Sequence, residues 1–174
     1  MIGLRFDMRL GPDTDPRSAY RAAIEMVEWS EESFAPFVTL SEHHAVADGY
    51  LTSPATLAAA MAARTSSTFF LVTAAILPLY DPVRLAEEIA LVDHISGGRV
   101  GWVLGLGYRP EEYAMLGVDF ARRGRIADEH LATPLDALTP AAAELLRDAL
   151  VRLVPVLRAL EHVIVTVTRE QEVA

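Results

Sequence analysis

Three side chains that can carry protons stand together at positions 42 to 44, where Glu42, His43 and His44 follow the largely apolar run Phe37–Leu40. A short run of this kind predicts a buried strand of a parallel sheet. Ligand sites of parallel α/β proteins gather at the carboxyl ends of the strands, so this position indicates a functional site. Histidine titrates near neutral pH and is the usual proton carrier of enzymes. The alternative is that Glu42 pairs with a neighbouring histidine or arginine in a purely structural network.

The spacing of the three residues also bears on a metal site. Because side chains alternate along a strand, we expect Glu42 and His44 to share one side while His43 points the other way. Adjacent ligands that diverge in this manner hold a metal poorly, and no His-x-x-x-His pattern accompanies them. The sequence therefore predicts no metal site here.

Composition limits the classes of partner. The chain has 174 residues, of which 52% are hydrophobic, which is typical of one globular domain. Its 24 acidic and 15 basic residues give a net charge of -9, which argues against a nucleic-acid surface. An anionic cofactor remains possible, because phosphates are held by local N–H groups and helix ends.

The expected compartment follows from cysteine content and hydropathy. The chain contains no cysteine, which excludes disulfide and thiolate chemistry and suits a reducing cytoplasm. Apolar runs such as residues 69–80 are shorter than the roughly 20 residues that a membrane helix needs, and the first residues do not resemble a signal peptide. We expect a cytoplasmic protein with no membrane partner.

Strand and helix patterns alternate through the first two thirds of the chain. Strands are predicted over residues 2–8, 37–40, 69–77 and 99–104, and helices over about 16–34, 54–63 and 82–96. Each helix begins with proline after a residue that can cap it, namely Asp15, Ser53 and Asp81. Such alternation predicts right-handed βαβ units and a parallel sheet, either doubly wound or part of a (β/α)8 barrel. The glycines at 105 and 107 follow the fourth strand, so they do not form a dinucleotide-binding fingerprint.

A combination of motifs is similar to a known family. Six motifs taken together resemble those of the bacterial luciferase-like flavin monooxygenases. They are Glu42-His43-His44, Ser53-Pro54, the segment 74–78, Asp81-Pro82 with residues 83–88, the segment 91–99 and Gly105-Leu106-Gly107-Tyr108. The resemblance covers about residues 1–129. It implies an α/β fold, namely an incomplete TIM-type (β/α)8 barrel with four or five parallel strands. Beyond it, Thr139-Pro140 predicts the start of a helix and residues 163–168 a possible last strand, so residues 130–174 are expected to form a helical tail of the same domain.

The resemblance also implies a cofactor and roles for particular residues. The family uses reduced FMN, or a reduced deazaflavin in some branches, and is usually dimeric. His43 corresponds to the family's active-site base, and His44 to a second required histidine that helps order the subunit contact. The segment Thr73-Ala74 falls where relatives have a non-prolyl cis peptide beneath the flavin ring. The expected cofactor-binding residues are Glu42, Thr73, Ala74, Gly105, Gly107 and Tyr108.

Two hypotheses about function follow. The first is a flavin-dependent oxidoreductase, a monooxygenase acting on a small organic substrate. The second is an incomplete, non-catalytic luciferase-like subunit that serves as an assembly module, because the family's second barrel half normally supplies most of the phosphate site. An arginine that contacts the phosphate in luciferase is replaced here by Leu106. In either case we expect a homodimer whose contact involves the helices after Pro54 and Pro82, with His44 nearby.

Overall fold

The structure is a computed structural model, and it describes residues 3–33 and 37–133. Four strands and five helices follow one another along this part of the chain, with 3₁₀ turns at Leu77–Leu79 and Phe120–Arg122. The strands are β1 (Leu4–Phe6), β2 (Phe37–Leu40), β3 (Phe69–Ile76) and β4 (Val100–Gly105). The helices are α1 (Pro16–Ser33), α2 (Pro54–Ala62), α3 (Pro82–Ser96), α4 (Pro110–Leu116) and α5 (Arg123–Leu131).

The four strands form one parallel sheet in the order β1-β2-β3-β4. A doubly wound sheet reverses its strand order at a switch point, whereas sequential neighbours are the order of a (β/α)8 barrel. The arrangement is therefore the first half of such a barrel, which confirms the predicted fold class. All four carboxyl ends lie at one edge of the sheet, and this edge carries the residues considered below.

The core lies between the sheet and its helices. Val38 and Leu40 of β2 and Phe70 and Val72 of β3 are completely buried, as are Ala58 and Met61 of α2. The alternate positions of these strands face the barrel interior, as expected from the period of two along a strand. Helix α2 is apolar on nearly all sides, and most of its surface is buried within this chain.

Two of the three predicted helix caps make capping bonds to the backbone. The Asp81 carboxylate accepts from the Val83 and Arg84 amides at 3.0 and 2.9 Å, and Asp15 accepts from the Ser18 amide at 3.1 Å. Ser53 is the N-cap residue of α2, as predicted, but its hydroxyl lies 2.8 Å from the Thr56 hydroxyl and makes no capping bond to the backbone. A hydroxyl bond within the first turn replaces the capping bond there.

The remaining predictions about secondary structure fall outside the part of the chain that the structure describes. They are a helix beginning at Thr139-Pro140 and a last strand over residues 163–168. Within residues 3–33 and 37–133, none of the helices combines the length and the apolar character that crossing a membrane requires.

Candidate active site

An open concavity of about 440 Å³ lies at the carboxyl ends of the strands. Its volume falls within the roughly 300–1,000 Å³ of small-molecule sites. Side chains and backbone from the ends of β1, β2 and β3 and from the segment after β4 form its walls. The lining residues are Arg5, Asp7, Arg9, Ser41, Glu42, His43, Tyr50, Thr73, Ala74, Ile76, Gly107 and Tyr108.

His43 faces this concavity and is held by a buried carboxylate. Its Nδ1 lies 2.7 Å from Oε1 of Glu112, a completely buried residue of α4. The same oxygen accepts from the backbone amide of His44 at 2.9 Å. The His43 ring also makes edge contacts with Tyr50 and Tyr108, at centroid distances of 4.7 and 5.5 Å. Because Glu112 occupies Nδ1, the Nε2 atom of His43 is the ring nitrogen left for a ligand.

His44 turns away from His43 and pairs with Glu42. The His44 Nε2 and Glu42 Oε1 atoms are 2.7 Å apart, so these two residues share a side as the alternation predicts. The hydrogen bond from Glu42 raises the pKa of His44 above its ordinary value, although burial opposes this effect. The purely structural interpretation therefore describes this pair well, whereas it does not account for His43.

The second oxygen of Glu42 ties β2 to the end of β3. Glu42 Oε2 accepts from the Ile76 amide at 3.2 Å and from the Tyr80 hydroxyl at 2.8 Å. Burial, and then the charge of Glu42, raise the pKa of Tyr80, so its hydroxyl stays protonated as a donor. Glu42 thus lines the concavity with both of its oxygens already engaged, and it fixes the shape of the site.

The chain reversal after His44 is held by Arg109. Its guanidinium donates to the His44 carbonyl at 3.1 Å and lies 3.6 Å from Glu112 Oε1. The following residue, Ala45, has a φ of 51°, in the left-handed region that side chains other than glycine rarely adopt. Segments from β2 and α4 are therefore fixed against each other directly behind His43.

The peptide bond between Thr73 and Ala74 is cis, which confirms the prediction for this bond. The pairing of β3 with β4 shifts register between Thr73 and Ala75 at the same point. Thr73 and Ala74 both line the concavity. A backbone segment with small side chains therefore forms part of its wall.

Gly105, which ends β4, and Gly107, which follows it, are required by close packing against β3. A Cβ atom at Gly105 would lie 2.9 Å from the Ala74 Cβ, and one at Gly107 would lie 2.8 Å from Ile76 Cγ2. Gly107 also has a φ of 65° and lines the concavity, whereas Gly105 does not line it. The structure thus gives Gly105 a packing role, and its contact with a cofactor stays a prediction.

Several residues of the site were not singled out from the sequence. Glu112 and Arg109 lie about 65 positions after the histidines, and nothing in a single sequence links them to the strand ends. Tyr80 follows β3 as a plain aromatic residue, and its bond to Glu42 depends on the 3₁₀ turn between them. Tyr108, by contrast, is an expected cofactor-binding residue, and it is 72% exposed beside the His43 ring.

The geometry fits a flat heteroaromatic ring. The backbone at Thr73-Ala74 and the side-chain-free position at Gly107 leave a smooth wall, and the exposed Tyr108 ring stands beside it. The imidazole of His43 reaches the same space with one nitrogen available. Among residues 3–33 and 37–133, no group of three or more potential metal ligands comes together.

The chain is similar to known proteins of one family. The sequence model of the family described as luciferase-like monooxygenase matches residues 1–144. Limonene 1,2-monooxygenase of Rhodococcus erythropolis is 33% identical over 108 residues, which cover 62% of this chain and 28% of that protein. The 4-hydroxyprotoasukamycin monooxygenase of Streptomyces nodosus subsp. asukaensis is 29% identical over 117 residues, covering 67% and 32% of the two chains.

A solved structure shares the fold. The oxygenating constituent of 3,6-diketocamphane monooxygenase from Pseudomonas putida, in complex with FMN, superposes with a TM-score of 0.68 and 26% identity. The match covers 74% of this chain and 36% of that one. The chain thus spans about a third of the length of the relatives it matches. The family match over 144 of 174 residues, together with the shared half-barrel, shows that the chain belongs to the luciferase-like monooxygenase family.

Proposed function

We propose that the concavity is the flavin and substrate site of a monooxygenase that uses reduced FMN and oxygen on a small organic substrate. The observation that carries the proposal is the pair formed by His43 and Glu112. An imidazole that faces a ligand-sized concavity and is held from behind by a buried carboxylate is the arrangement of an oriented proton carrier. Family membership and the FMN complex of a structural relative support the choice of cofactor.

The contact with Glu112 determines which ring nitrogen of neutral His43 carries the proton. An ionised carboxylate can only accept hydrogen bonds, so the short contact with Glu112 fixes the proton of a neutral His43 on Nδ1. Nε2 then carries a lone pair toward the concavity and can take a proton from a bound substrate or cofactor. Protonated His43 keeps its hydrogen bond to Glu112, so the orientation of the ring is retained after the transfer.

Bound reduced flavin would supply the electrons that activate oxygen. We assign the contacts with its ring to Thr73, Ala74, Gly107 and Tyr108, with His43 at the edge. Glu42 and His44 act indirectly, by holding the ends of β2 and β3 together. The engaged oxygens of Glu42 support this role.

Titration of the purified chain with oxidised FMN, reduced FMN and a reduced deazaflavin, followed by absorbance under anaerobic conditions, tests the choice of cofactor. We expect saturable binding, tighter for reduced FMN than for deazaflavin.

Replacing Glu112 with Gln should change the dissociation constant for FMN by no more than a few-fold. It should shift the pH profile of turnover, because the orientation of His43 is lost. Glu111→Gln, at the exposed neighbouring position, is the matched control. Absence of flavin binding to the unmodified chain would refute the proposal.

A second candidate function is an assembly module that has kept the fold without turnover. The open character of the sheet favours it, because β1 and β4 are the outer strands among the described residues and outer strands are normally paired or covered. We propose that the chain forms a homodimer in either case. Leu91 and Ile95, which are 59% and 44% exposed on α3, support a contact through that helix.

A further inference from the structure

One cation of the site stands apart from the ion pairs described above. Arg5 lies in β1 between Leu4 and Phe6, both of which pack against the core on the helix side of the sheet. Alternation along the strand therefore turns Arg5 to the barrel interior, where it lines the concavity. Among the described residues, its side chain makes neither a hydrogen bond nor an ion pair.

Three other charged groups at or behind the concavity have partners. Arg9 pairs with Asp48 at 3.4 Å and lies over the Tyr50 ring. Arg109 binds the His44 carbonyl and approaches Glu112. Glu42 has donors on both oxygens. Arg5 is thus the cation lining the concavity whose guanidinium has no hydrogen-bond or ion-pair partner among the described residues.

Asp7 is the carboxylate that could compete for Arg5. It lies two residues further along the chain, directly after β1, and also lines the concavity. However, its Oδ1 accepts from the Arg9 amide at 3.4 Å, and no ion pair joins it to Arg5. An unpaired cation and a carboxylate therefore line the same concavity.

We infer that Arg5 selects a substrate that carries a carboxylate, which it binds through the planar fork of its guanidinium. Five N–H donors in a rigid plane match the two oxygens of a carboxylate, and such charge-assisted pairs are about twice as strong as neutral hydrogen bonds. The inference names the substrate class of the proposed function and rests on it, because it takes the concavity to be the substrate site.

The test uses benzoate and its neutral isostere benzamide as probes of the full chain. Both are titrated by chemical-shift perturbation without FMN and again at saturating FMN. We expect benzoate to bind at least ~10-fold more tightly than benzamide, the scale of a charge-assisted pair. Arg5→Met should remove this preference while leaving benzamide unchanged, and Arg5→Lys should keep part of it. Arg21→Met, at an exposed arginine of α1 with no side-chain partner, is the control and should behave as the unmodified chain.

Asp7 provides an independent arm. If Arg5 is the anion site, Asp7→Asn removes a nearby negative charge and should tighten benzoate while leaving benzamide unchanged. Equal binding of the two probes to the unmodified chain, or a preference that survives Arg5→Met, would overturn the inference. Loss of FMN binding in Arg5→Met without any benzoate preference would also overturn it, since Arg5 would then face the cofactor. Because the probes are read without FMN, failure of flavin binding is distinguished from failure at Arg5.

Discussion

His43 and His44 are adjacent in sequence and differ in what their ring nitrogens meet. His44 is committed to Glu42 inside a network that also includes Ile76 and Tyr80. His43 is bound on Nδ1 and leaves Nε2 toward the concavity. Alternation along the strand was enough to predict that the two rings diverge. Which of the two rings faces the ligand depends on the position of Glu112. That position is set by the path of the chain after β4, and no local sequence pattern predicts this path.

Replacing His43 with alanine should affect chemistry more than stability. We expect oxygenation turnover to fall by ~10²-fold or more, the scale of a lost general base. The melting temperature should fall only by the loss of one hydrogen bond, because Glu112 Oε1 still accepts from the His44 amide at 2.9 Å. Steady-state turnover and thermal unfolding of the variant measure the two effects, with His94→Ala at an exposed helix-end histidine as the control. Unchanged turnover would remove His43 from the mechanism.

The His44–Glu42 pair should appear in the pH dependence of stability. The folded-state pKa of His44 is raised above its ordinary value of 6.5, so protonation is favoured in the folded state. Its contribution is therefore present below about pH 6.5 and is lost as the pH rises through the folded pKa. The free energy of unfolding, measured by urea denaturation of the unmodified chain and of His44→Gln, should differ more at pH 6 than at pH 9. A difference that grows with pH would contradict this assignment.

At the scale of elements, the site depends on how closely β4 approaches β3. The alternating strand and helix patterns and two of the three capping bonds were predictable, because each depends on residues close together in sequence. The hydroxyl contact that replaces the Ser53 capping bond was not, and neither was α4, which contributes Glu112. The resemblance predicts that Gly105 and Gly107 contact the cofactor. Their close packing against Ala74 and Ile76 depends on how the ends of β3 and β4 are paired, which a single sequence does not show.

Substituting Gly107 with alanine should separate close packing from backbone conformation. Gly107 and Gly117 have φ values of 65° and 71°, so alanine is disfavoured at both. A Cβ at Gly117 meets nothing within 4 Å, whereas one at Gly107 meets Ile76 at 2.8 Å. We expect Gly107→Ala to lower the free energy of unfolding by roughly 1–3 kcal/mol more than Gly117→Ala, the cost of overpacking. Equal losses in chemical denaturation would mean that Ile76 moves aside freely.

For the whole molecule, the sequence predicted a half-barrel, and the sequential parallel sheet agrees with it. The expectation that α2 supplies apolar surface to a partner is weakened, because most of α2 is buried within this chain. An alanine-rich helix without a polar face indicates burial, and the pattern cannot say whether its own chain or another buries it. Leu91 and Ile95 of α3 are exposed, so a dimer that forms through this helix stays a prediction.

Light scattering across a dilution series tests the dimer. We expect a dimer at micromolar concentration, since a symmetric pair is the commonest way to cover an apolar helix face. Leu91→Glu should raise the dissociation constant of the dimer at least ~10-fold, because burying an unpaired charge in the contact is costly. Leu131→Glu, at an exposed leucine on α5, should leave it unchanged. A folded, soluble monomer of the unmodified chain would refute the dimer.

The location of the flavin ring is the central claim, and hydrogen–deuterium exchange with and without reduced FMN tests it most directly. We expect slower exchange at saturating reduced FMN for peptides that contain residues 41–44, 73–76 and 105–108. Peptides from the outer face of α3 should be unaffected. Protection confined to α3 or to other helix surfaces, with the three strand-end segments unchanged, would show that the flavin ring does not bind at the strand ends.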